Sequence, residues 1–75
     1  MRSDILQVKK VLARNLKKYR TALDLTQEQS AELAGMTVKY WQRLEMLSQE
    51  DLPSLPTLFK ISKVLKISPS KLLDF

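Results

Sequence analysis

Apolar residues Ile5, Val8, Leu12, Leu16, Tyr19 and Leu23 recur at steps of three and four along the start of the chain. That spacing places them on one stripe and predicts a helix over about residues 4–23. Ser3 or Asp4 is positioned to cap its start. Lys10, Arg14, Lys17 and Lys18 fall on the opposite face. Arg20 lies at the edge of the stripe, where a guanidinium can reach inward while its stem packs. Thr26, followed three residues later by Gln29, forms a capping box, so a second helix is expected over about 27–34. It carries the small residues Ala31 and Ala34 beside Leu33.

Gly35 follows, and it is the one glycine in 75 residues. A left-handed position just past a helix end favours glycine. Thr37 then caps a third helix, expected over about 38–46. Two short helices joined across about three residues must meet at a sharp angle, which is the helix-turn-helix arrangement. On the third helix, Thr37, Trp41 and Leu44 share one side. Val38, Lys39, Gln42 and Arg43 occupy the other, in an arc of about 140°. Trp41 therefore reads as a core anchor, while Tyr40 sits between the faces and is compatible with either. The segment "MLSQEDLPSLP" reads as a connecting loop. Ser54 caps a fourth helix over about 55–66, with Leu55, Leu58, Phe59, Ser62 and Leu65 near its inner face. Pro56 is tolerated in its first turn. Ser68 and Pro69 restart a short fifth helix over about 69–73, as an N-cap with proline at N1. The expected fold is all-α: one compact five-helix domain over residues 1–75.

Composition narrows the function. The chain has no cysteine and no histidine, which removes disulfides and the usual zinc sites. No apolar run is long enough to span a membrane, and the N-terminus lacks a signal-peptide core. A cytoplasmic protein is the expectation. Carboxylates scatter over solvent faces and no phosphate-cradling glycine loop exists, so no enzyme, metal or cofactor is expected. Net charge is +5, which favours an anionic partner, although lysines that merely solubilise the domain would give the same balance. The charge is uneven. Residues 1–20 carry seven Lys/Arg against Asp4, whereas residues 21–55 carry Lys39 and Arg43 against six acids.

A major groove of DNA admits one α-helix. Lys39 and Arg43 can donate to guanine, Gln42 can pair with adenine, and Val38 can touch a thymine methyl. The competing reading is an ordinary solvated helix face. The capping box and Gly35 tilt the balance toward DNA.

Taken whole, "LTQEQSAELAGMTVKYWQRLE" and "PSLPTLFKISKVLKISPSKLL" resemble the Cro/repressor-type helix-turn-helix regulators of the XRE family, with a lambda-repressor-like fold. The resemblance spans about residues 11–73. It implies a sequence-specific regulator of transcription that binds double-stranded DNA, such as a repressor, in a bacterial or phage setting. Val38, Lys39 and Arg43 match base-reading positions, with Gln42 on the same face. Gln27 matches a phosphate-contacting position, Tyr40 matches another where a hydroxyl reaches phosphate, and the capping Thr37 is expected to contact phosphate with them. Arg20 and Glu45 match a partly buried ion pair that holds the first helix to the recognition helix.

The chain also departs from the family. Ser30 stands where leucine is usual, and Trp41 where a branched aliphatic is usual. Asp24 replaces a common glycine. In "EMLSQEDLP" the family's glycine and basic residues give way to Glu50 and Asp51, which would repel a DNA backbone. Met46, Leu47 and Leu52 make the 46–52 loop partly apolar. A homodimer on a near-palindromic site is expected, with Leu47, Leu52, Leu72, Leu73 and Phe75 as candidate pairing residues. The alternative is a protein-interaction module, antitoxin-like or a regulator subunit, using the same loop.

Overall fold

The computed structural model describes residues 2–47 and 51–74, apart from the side chains of Arg2 and Ser3. Five helices follow one another: α1 Arg2–Ala22, α2 Gln27–Leu33, α3 Val38–Leu44, α4 Leu55–Leu65 and α5 Pro69–Leu72. The fold is all-α among the described residues. α1 already includes Ser3 and Asp4, so neither is its N-cap; Asp4 sits in the first turn, where the helix dipole favours an acid.

Local chemistry sets the helix ends. The Thr26 N–H donates to Gln29 Oε1 and the Gln29 N–H returns a bond to Thr26 Oγ1, closing the capping box. At the other end of α2, Gly35 has φ 71°, with Met36 N–H donating to Ala31 O and Gly35 N–H to Glu32 O. That is the paired carbonyl closure of a left-handed helix stop. A Cβ on Gly35 would meet nothing within 4 Å, so the backbone conformation, and not crowding, is what calls for glycine there. Asp24 ends α1 by the same device at φ 57°, and Lys66 ends α4 at φ 58°. Both tolerate the left-handed region at a cost that glycine would avoid.

Leu12, Leu16, Ala31, Ala34, Trp41, Leu44, Leu58, Ile61, Leu65 and Leu72 form one buried cluster drawn from all five helices. Two predicted faces shift. On α1 the buried row is Lys9, Leu12, Ala13, Leu16 and Arg20, while Ile5 and Leu23 are exposed. The core side of α1 is therefore rotated off the apolar stripe toward two long cationic side chains whose stems can pack. On α4 the buried row is Leu58, Ile61, Ser62 and Leu65. Leu55 and Phe59, expected inward, are 70% and 57% exposed. Both rows of α4 are apolar, so periodicity could not choose between them. α5 is tied back to α1 by Asn15 Nδ2, which donates to Leu72 O at 2.9 Å.

Ser30 is wholly buried and its hydroxyl has no hydrogen-bond partner among the described residues. A buried unpaired hydroxyl costs about 1–3 kcal/mol. Ser30→Ala is therefore expected to stabilise the protein by about 1 kcal/mol. Denaturant titration checks this, and a loss of stability would mean that the hydroxyl has a partner in solution.

Candidate nucleic-acid interface

α3 presents two chemically distinct sides. Trp41 and Leu44 are wholly buried, whereas Val38, Lys39, Gln42 and Arg43 all lie on the exposed side. Thr37 begins the helix, and its Oγ1 accepts the Tyr40 N–H at 3.1 Å, which leaves the hydroxyl proton available to an outside acceptor. Tyr40 is half-buried and packs against the core. α2 packs against α3, so the exposed face of α3 is held in place by its own partner helix.

One carboxylate holds this arrangement. Glu45, the C-cap of α3, accepts Arg20 Nε on Oε2 at 2.7 Å and Arg20 Nη2 on Oε1 at 3.1 Å. Gln27 Nε2 donates to Oε1 at 3.0 Å, and Trp41 Nε1 donates to Oε2. Arg20 also donates from Nη1 to Leu25 O. α1, α2 and α3 thus converge on one side chain that is 6% exposed. Burial alone pushes the Glu45 carboxyl up, but the hydrogen bonds from Arg20, Trp41 and Gln27, with the charge of Arg20, outweigh it and hold the group below the usual carboxylate range.

The sequence reading missed Lys9. It is 0% exposed, and its Nζ donates to Arg43 O at 2.8 Å, near the C-terminal end of α3. A cation suits that end of a helix dipole. Burial lowers its pKa and the charge of Arg43 lowers it further, while Asp51 opposes both. Asp51, expected only to repel DNA, instead accepts a hydrogen bond from Arg43 Nη2. Charge alone could not show this, because the pairing depends on how the loop returns to α3.

The other predicted site residues fall as follows. The half-buried Gln27 amide donates one hydrogen bond to Glu45 Oε1, which leaves its second N–H without a partner among the described residues. Leu47, Leu52 and Leu73 are exposed. Leu72 is 0% exposed and belongs to the core, which removes it from any pairing surface. Its place in the short α5 turns it under α1. Glu50, Phe75 and the Ser3 side chain lie outside the described residues.

Residues 16–72 match the family model HTH_3, described as helix-turn-helix. The chain belongs to the HTH_3 family. As an HTH_3 protein of Cro/CI type it is a sequence-specific DNA-binding regulator. Among its relatives, control protein C.SmaI of Serratia marcescens is 37% identical over 68 residues, covering 91% of this chain and 79% of that protein. The restriction-modification controller protein C.AhdI of Aeromonas hydrophila superposes with a TM-score of 0.78 at 30% identity, over 85% of this chain and 94% of its own. The hypothetical transcription factor NHTF from Neisseria gives a TM-score of 0.82 at 24% identity, over 89% of this chain and 75% of its own, and supports the fold alone. No helix among the described residues of this HTH_3 chain is long and apolar enough to cross a membrane.

The lowered pKa of Glu45 gives a pH signature. Its contribution to stability is complete above the ordinary value of 4.5 and is lost as pH falls through the lower folded-state value. Arg20→Ala is expected to cost about 3 kcal/mol at neutral pH, and clearly less in acid where the carboxyl is protonated. Denaturant titrations of both proteins at neutral and acidic pH check this. An equal loss at both pH values would detach Glu45 from the effect.

Proposed function

We propose that the chain is a controller of restriction–modification gene expression that binds its operator as a homodimer. Its likeness to the two controller proteins supports this role. Val38, Lys39, Gln42 and Arg43 enter the major groove and read base edges. The observation that carries this reading is their joint exposure on a helix whose other side is wholly buried. Lys39 and Arg43 donate to guanine O6 and N7, Gln42 pairs with adenine, and Val38 packs on a thymine methyl. The Thr37 hydroxyl and Tyr40 contact phosphate. At Gln27 the backbone N–H and the second amide N–H contact phosphate, the other amide N–H being engaged with Glu45.

Selection of bound sequences from random duplex DNA gives the preferred site. On that site Lys39→Ala and Arg43→Ala should each lose about 1–3 kcal/mol and relax specificity at one position. A loss of the same size on every sequence would make them phosphate contacts only.

One recognition helix reads few base pairs, so pairing is needed for useful discrimination. Leu52, Leu55, Phe59 and Leu73 are exposed apolar residues of the loop, α4 and the C-terminal end. Leu52, Leu55 and Leu73 also line, with Val8 and Leu58, a cleft of about 110 Å³ beside α1. We place the two-fold contact on this face, which would set two α3 helices about 34 Å apart, one turn of DNA. A second reading, a protein partner seated on the 46–52 loop, is favoured by the exposure of Met46, Leu47 and Leu52. Sedimentation is expected to show a concentration-dependent dimer that Phe59→Asp and Leu52→Asp both weaken. A strict monomer at all concentrations, on and off DNA, would transfer the apolar face to the partner reading.

A further inference from the structure

Arg43 and Asp51 are the one ion pair described on the exposed side of α3. We infer that Asp51 is a positioning residue for base reading: it holds the Arg43 guanidinium by one nitrogen and aims the rest of it at a base. This rests on the reading of Arg43 as a base contact.

Three observations support it. Asp51 binds Nη2, and among the described residues Nη1 and Nε have no acceptor, so donors remain for a base. The pair is partly solvent-exposed, so the guanidinium is held without being buried. And the main chain of Arg43 is held from behind. The Lys9 ammonium is fixed in the interior, bonded to the main-chain carbonyl of Arg43 itself, and the charge of Asp51 acts on it.

A removable latch is the competing arrangement, and equilibrium arithmetic separates the two. A latch that must open for any use of Arg43 adds the same cost to every sequence, so it lowers affinity without improving discrimination. A support that stays bonded acts differently. It removes rotamer freedom from Arg43 before DNA arrives, so less is lost on binding the correct base. It also cancels the charge of Arg43 as seen by distant phosphates, so sequence-independent binding gains less from that arginine. Both effects widen the gap between the preferred site and random DNA.

The test compares the full chain with Asp51→Asn, Arg43→Ala and the double variant, on the selected duplex and on a random duplex over a range of salt. Asp51→Asn should lower the ratio of specific to random binding by about two- to tenfold. The lost preference should lie at the base pair that Arg43→Ala also relaxes. On random DNA the variant should bind more tightly, with a salt slope steeper by about one. In the Arg43→Ala background Asp51→Asn should leave base preference unchanged. If Asp51→Asn tightens both duplexes by one factor and keeps every base preference, Asp51 is a latch or a repelling charge and the inference is overturned. If Arg43→Ala itself leaves all preferences intact, the reading of Arg43 fails first, and the two failures are told apart.

Discussion

The Glu45 carboxylate is the constraint on which the setting of α3 depends. Helices as short as α2 and α3, seven residues each, are not stable alone in water and take their orientation from packing. Apolar contact is non-directional, so it can bury Trp41 without fixing the rotation of α3. Glu45 supplies direction. It receives donors from α1, α2 and α3, and its position at the end of α3 turns those bonds into a fixed setting of the exposed arc. The indole of Trp41 serves both needs, filling the core while its N–H joins the same carboxylate.

The second half of the chain meets a different requirement. α4 carries one apolar row into the core and another, Leu55 and Phe59, to the outside. A monomer gains nothing from the outer row, which exposes large apolar surface without compensation. The fold thus keeps the exposed polar arc of α3 apart from the exposed apolar residues of α4. The loop joining the halves contributes to both, through Asp51 toward α3 and Leu52 toward the apolar cleft.

Much of this was legible in the sequence because the signals are local. The capping box, Gly35 and Thr37 specify a turn within a dozen residues, and each acts through bonds to its own neighbours. The pairing of Arg20 with Glu45 was legible through family resemblance, and helical position agreed with it. What failed to show was whatever depended on distant packing. Lys9 looks like one more member of a basic run, and only the approach of the α3 end reveals it as an interior residue. Leu72 looks like a surface residue near a terminus, yet α1 closes over it. Asp51 looks repulsive until the loop brings it to Arg43.

The burial of Lys9 has a consequence for how this molecule can be watched. The chain has nine lysines, and the other eight are exposed. An amine-reactive label would meet those eight at once, whereas Lys9 becomes reachable only when the N-terminal helix lifts from the end of α3. Modification at this one site therefore reports, from inside the untagged protein, how often the recognition helix loses its backing.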